Sequence, residues 1–113
     1  MRVFRRRKPD ALQGTLDLLV LSILSRGPHH GYGIAADIGA ISDAILRVEE
    51  GSLYPALHRM EQHGWIAAEW QMTATNRRAR VYRLTRAGEK QLAEQRDKWA
   101  RLTRGVAKVL RFA

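Results

Sequence analysis

The chain has 113 residues, the size of one domain, and carries 20 Lys and Arg against 11 Asp and Glu, a formal net charge of +9. That excess points to an anionic partner, nucleic acid or an acidic membrane face. The absence of cysteine excludes disulfides and thiolate metal sites and fits a reducing cytoplasm. The longest mostly apolar run, Leu16 to Leu24, contains Asp17 and Ser22 and is too short to span a bilayer, so no membrane partner is expected.

Residues 1–9 hold Arg2, Arg5, Arg6, Arg7 and Lys8 and end in Pro9. They read as a basic flexible arm able to lie along phosphates, without the apolar segment or small-residue cleavage site of a secretory signal. Asp10 is the expected cap of a first helix, with Gln13 three residues on echoing a capping box. Leu12, Leu16, Leu19, Val20 and Ile23 follow helical spacing, and Leu18, Leu21 and Leu24 make the helix apolar on more than one side. Such a helix is expected to be largely buried. Gly27-Pro28 ends it. His29-His30-Gly31-Tyr32-Gly33 reads as a turn into a second helix, Tyr32 to Ile41, with Ile34, Ile38 and Ile41 inward. Ser42 to Val48 is a short connection, with a small strand expected near Leu46 to Val48.

The stretch from Glu50 to Gly64 organises the rest. Leu53, Leu57 and Met60 recur at i, i+4 and i+7 and give a third helix one apolar stripe. Tyr54, His58 and Arg59 fall on other faces and are expected to be available to a partner. Gly51-Ser52 is the expected start and cap, which places Pro55 in the first turn, and Gly64 supplies a left-handed stop. A short capped helix with hydrogen-bonding side chains near its start has the shape of a major-groove reader. Two strands follow, Trp65 to Gln71 with Ile66, Ala68 and Trp70 on one face, and Arg80 to Thr85 with Tyr82 and Leu84 inward. The tip between them, Met72 to Ala79, is polar and basic. A helix–turn–helix pair followed by a basic-tipped hairpin is the order of a winged helix, whose tip approaches a phosphate backbone or the minor groove.

Thr85 is the expected cap of a last helix from Arg86 to about Phe112. Leu92, Trp99, Leu102, Val106 and Val109 follow steps of 7, 3, 4 and 3, a coiled-coil-like seam. A small winged-helix core needs no helix of that length, so the seam is expected to meet a second subunit. The fold expected is thus α+β, mainly α with a small β-hairpin: a basic arm over 1–9, a winged helix-turn-helix over 10–85 and a dimerisation helix over 86–113.

These residues resemble the PadR family of bacterial transcriptional regulators. The matching motifs are Gly14-Thr15-Leu16-Asp17-Leu18-Leu19-Val20-Leu21, His30-Gly31-Tyr32-Gly33-Ile34, Gly51-Ser52-Leu53-Tyr54-Pro55-Ala56-Leu57, Gly64-Trp65-Ile66 and Arg80-Val81-Tyr82-Arg83-Leu84-Thr85 with Ala87-Gly88. They span about residues 12–92 in the family's order, and the Gly-Ser-Leu-Tyr-Pro block is the most specific. The single C-terminal helix looks like the short branch of the family. The resemblance implies a cytoplasmic homodimer, in most members a repressor, bound to a double-stranded DNA operator. It implies Ser52, Tyr54, His58 and Arg59 as recognition-helix contacts, Asn76, Arg77, Arg78 and Arg80 as wing contacts, and Thr15 and Tyr32 near the phosphate backbone. In some members a tryptophan at the position of Trp99 stacks flat aromatic ligands across the dimer, so a small aromatic or lipophilic effector is a further implication. Its plainer role is to pack the dimer seam.

No enzyme is expected: the chain lacks a cysteine nucleophile, a Gly-rich phosphate loop and a carboxylate pair in a cleft pattern. No cofactor or metal is expected either. His29 and His30 are adjacent, but the nearest acid, Asp37, lies seven residues past His30, and His58 and His63 fall on different helix faces. The competing reading of the same charge is an architectural DNA-coating protein without sequence preference.

Overall fold

The structure, a computed structural model, describes residues 11–112, with side chains from residue 14 onward. The basic arm, the Asp10 cap and the Leu12 side chain lie outside the described residues. In chain order the elements are α1 (Ala11–Leu24), β1 (His29–His30), α2 (Gly31–Ile41), α3 (Glu50–Gln62), β2 (Ile66–Met72), β3 (Arg78–Leu84) and α4 (Arg86–Phe112). This is the expected α+β winged helix with a long last helix.

The core forms where three helices converge on one face of the sheet. Val20, Leu21, Ile23 and Leu24 of α1, Ile34 and Ile38 of α2, and Leu53, Ala56, Leu57 and Met60 of α3 are buried together with Ile66, Tyr82 and Leu92. The apolar stripe of α3 is as expected. Burying each such aliphatic side chain contributes about 1.5–3 kcal/mol before chain entropy is subtracted, so this cluster supplies the main driving force. Ile41, expected inward, is 52% exposed because it is the last residue of α2, where the chain turns away.

Three local expectations are corrected. First, α3 begins at Glu50 after Glu49, whose side chain makes no capping bond, so Gly51-Ser52 lie inside the helix and Pro55 sits in its second turn. Pro55 is tolerated because the acceptor it leaves unpaired belongs to Gly51, which is exposed. Second, Leu46 to Val48 forms no strand. The Leu46 N–H donates to the Ser42 hydroxyl at 3.0 Å, which draws the backbone into a turn. The third strand is His29–His30, expected as a turn, and it pairs antiparallel with Tyr82 and Val81 of β3. Two residues carry too little periodicity to be read as a strand until a partner edge is present. Third, the hairpin is longer than expected, with Met72 paired to Arg78 and Trp70 to Arg80.

The tip closes by a turn in which the Asn76 N–H donates to the Thr73 carbonyl at 3.0 Å and the Thr73 N–H to the Arg77 carbonyl at 2.7 Å. Asn76 has φ 64°, a left-handed residue after a turn, which asparagine accepts readily. Gly64 follows the end of α3 with φ 79°, the expected left-handed stop. Thr85 does cap α4: its hydroxyl accepts the Gly88 N–H at 3.0 Å and donates to the Gly64 carbonyl at 2.6 Å.

Tyr82 supplies a pH test of this packing. Burial pushes its phenol above the ordinary tyrosine value, partly offset by the nearby Arg80 charge. The neutral phenol is the folded form, so its contribution is complete below about pH 10, the unfolded value, and is lost as pH rises beyond it. Denaturation midpoints followed from pH 8 upward should fall above about pH 10, and Tyr82→Phe should flatten that fall. An identical alkaline profile in the variant would show that Tyr82 is not the titrating group.

Candidate nucleic-acid interface

The residues suggested by sequence divide between two sides of α3. Helical spacing sets the split, since Leu53, Ala56, Leu57 and Met60 turn one side to the core and Gly51, Pro55, His58 and Gln62 lie opposite. His58 and Gln62 are exposed one turn apart, and Tyr54 is 42% exposed one turn before His58. Tyr54 leans over the start of α2, where a Cβ on Gly31 would lie 2.8 Å from its ring, so a larger residue there would push the phenol aside. Tyr32, one residue on, is 71% exposed. His30 holds this corner: its Nδ1 accepts the Gly33 N–H at 3.1 Å, capping α2, and its ring stacks on Tyr32. His29 Nε2 lies 3.2 Å from an Asp37 carboxylate oxygen.

The wing continues the same surface. A groove of about 520 Å³ is lined by Tyr54, His58, Glu61, Gln62, Arg80 and Tyr82, so β3 forms one wall and the exposed side of α3 the other. Arg80 Nη2 donates to Glu61 Oε2 at 2.7 Å, tying the wing to the end of α3 and holding the guanidinium pKa above its ordinary value through that hydrogen bond. Arg77 and Arg78 are exposed nearer the tip. Arg78 and Arg80 both lie over the Trp70 indole. Trp70, expected on one face with Ile66 and Ala68, is 55% exposed, because β2 runs past the edge of the core before reaching it.

Thr15, Ser52 and Arg59 lie elsewhere. They line an apolar groove of about 610 Å³ between α1, the connection before α3, and α3 itself, with Leu16, Leu46, Val48 and Pro55 among its walls. Arg59, expected to be available to a partner, is instead gripped by Asp17 of α1. Nη1 donates to Oδ2 at 2.9 Å and Nη2 to Oδ1 at 2.7 Å. These hydrogen bonds, opposed by desolvation, hold the Arg59 pKa above its ordinary value. The signal in the sequence was Asp17, an acid inside an apolar run. Gln62 was missed altogether, though it follows His58 by one helical turn.

The last helix also divides. Leu92, expected on the seam, is buried in the chain's own core. Trp99, Leu102, Val106 and Val109 are 44–66% exposed. Trp99 and Leu102 edge a small cavity of about 170 Å³ with Gly14, Thr15 and Leu18 of α1. No described helix is long and apolar enough to cross a membrane, and the described residues contain no cluster of three or more His, Asp or Glu suited to hold a metal.

Several known proteins share this arrangement. The chain is 45% identical over 60 residues to the transcriptional regulator Rv3488 of Mycobacterium tuberculosis, covering 53% of this chain and 55% of that protein. It is 26% identical over 93 residues to an uncharacterised protein of Lysinibacillus sphaericus, covering 82% and 85%. A transcriptional regulator from Clostridium thermocellum superposes with TM-score 0.80 at 29% identity, covering 88% of this chain and 97% of that one. A PadR family regulator from Eggerthella lenta superposes with TM-score 0.74 at 36% identity, covering 88% and 85%. The profile of the PadR-like transcriptional regulators matches residues 20–94. Together with the winged-helix fold, these likenesses show that the chain belongs to the PadR-like family and is a DNA-binding transcriptional regulator.

Proposed function

We propose that the chain acts as a homodimeric, sequence-specific repressor of its own or a neighbouring operon, with α3 in the major groove and the hairpin on the flanking backbone. The observation that carries this reading is the continuity of the Tyr54, His58 and Gln62 side of α3 with Arg77, Arg78 and Arg80 of the wing. Tyr54, His58 and Gln62 are the base-reading candidates. Arg77 and Arg78 are phosphate contacts, with Arg80 and Tyr32 at their edge. Asn76 shapes the tip through its left-handed backbone. Arg59 serves the α1–α3 contact through Asp17, while Ser52 and Thr15 line the groove beside it. Two such units joined through α4 would present two reader helices about 34 Å apart, one helical turn of duplex.

The test is a titration of labelled DNA from upstream of the gene, against a scrambled duplex, at two salt concentrations. A preference of roughly a thousandfold or more for the native sequence is expected. His58→Ala should relax that preference by about 1–3 kcal/mol, while Arg78→Ala should weaken both duplexes alike and reduce the salt slope by about 1. Equal, strongly salt-dependent binding of both duplexes would instead favour the architectural reading at this locus. A small aromatic effector at Trp99 belongs to the same proposal: it would use the indole face beside α1 for stacking.

A further inference from the structure

The wing carries two large apolar side chains that the described chain leaves uncovered, Trp70 and Met72, the latter 64% exposed. Register puts Trp70 opposite Arg80 and Met72 opposite Arg78, so all four share one face of the ribbon. The Arg78 guanidinium lies 4.8 Å from the centre of the Trp70 ring and that of Arg80 5.7 Å, both within cation–π reach. Two guanidinium groups drawn to one ring repel each other. Arg80 is partly neutralised by its carboxylate partner, Glu61, at 2.7 Å. The patch is therefore apolar at its centre and positive at its rim.

Such a patch suits a partner that offers apolar edges flanked by negative charge at close spacing. The wall of a DNA groove has that chemistry, with deoxyribose C–H edges between successive phosphates. A membrane surface would need a wider apolar face than two side chains. The patch also joins the reader side of α3 through Arg80, which lines the groove shared with Tyr54, His58 and Gln62.

We propose that Trp70 is a positioning residue of the DNA interface. Its indole, with Met72, lies against the deoxyribose edge and holds Arg78 and Arg80 toward the flanking phosphates. The proposal rests on the DNA-binding reading above, but assigns to Trp70 a role that the basic residues alone do not require.

The experiment is a double-mutant cycle on the full chain, read as affinity for a mixed-sequence duplex at two salt concentrations. Trp70→Ala should weaken binding about tenfold, the sum of two modest cation–π contacts. Trp70→Phe, which keeps a ring face, should recover most of that loss. In an Arg78→Ala background the Trp70→Ala loss should shrink to about threefold or less, because one of the groups it positions is gone. Thermal unfolding checks the fold, and if Trp70→Ala melts markedly lower, Trp70→Leu replaces it in the cycle. Unchanged binding by the Trp70 variants, or an equal loss in both backgrounds, would overturn the proposal while a weakened Arg78→Ala left the wing reading intact. Failure of the wild type to bind any duplex would overturn both.

Discussion

Replacing Arg59 with alanine is expected to destabilise the fold by about 2–4 kcal/mol, lowering the melting temperature by on the order of 10 °C. The reason is the Asp17 carboxylate. It is nearly buried in the middle of α1, and its two oxygens are held by the two terminal nitrogens of Arg59 at 2.7 and 2.9 Å. Without the guanidinium, that charge is left in an apolar environment with its main partner gone. Arg59 is itself about a quarter exposed, so the effect belongs near the lower end of the range for buried pairs. Arg59→Lys should recover only part of the loss, since an ammonium cannot span both oxygens. The double variant Asp17→Leu with Arg59→Met should regain most of it, because removing both charges leaves none stranded. Urea denaturation of the four proteins checks this, and a loss under about 0.5 kcal/mol for Arg59→Ala would show that the bridge contributes little. The same proteins test the assignment of Arg59 away from base reading. If the double variant is folded yet loses operator preference, Arg59 reads a base after all.

Placing charge on the exposed seam of α4 should have the largest effect on function. Leu102→Asp combined with Val106→Asp is expected to convert the proposed dimer, twice the 12.9 kDa chain, into a monomer with an intact winged helix. The helix has 27 residues, about 40 Å, and from residue 96 to 112 every position is exposed in the single chain. Most helical stability in proteins comes from packing of an apolar face, so a packed partner is the simplest source of their order. Loss of the dimer would remove the second DNA-binding unit and with it the gain from effective concentration, on the order of a hundredfold or more in affinity for a two-half-site operator. Sedimentation and DNA titration read both consequences. A wild-type monomer at micromolar concentration, or a variant that stays dimeric, would show that this face is not the interface.

Much of the fold is legible in the order of residues alone. The periodic stripes of α1, α2 and α3, the stop at Gly64, the cap at Thr85 and the length of α4 are local properties, dictated by side-chain spacing and backbone preference within a few residues. Net charge and its clustering at Arg77, Arg78 and Arg80 likewise follow from the sequence directly. Those features, with the Gly-Ser-Leu-Tyr-Pro block, suffice to indicate a winged helix of the PadR-like kind.

What only the tertiary structure decided was which side chains remain available. Arg59 and His58 are neighbours on one helix, and chain order treats them alike. Packing α1 across α3 buries the Asp17 carboxylate, and the cost of leaving it unpaired commits Arg59 to it, while His58 stays exposed. Trp70 shares the face of the buried Ile66, yet β2 outruns the core and leaves the indole exposed beneath two arginines. Leu92 shares its spacing with Trp99 but is absorbed into the chain's own core, while Trp99 stays 44% exposed. In each case periodicity set the face, and the distance to the nearest packed element, which no local pattern encodes, set whether that face was covered.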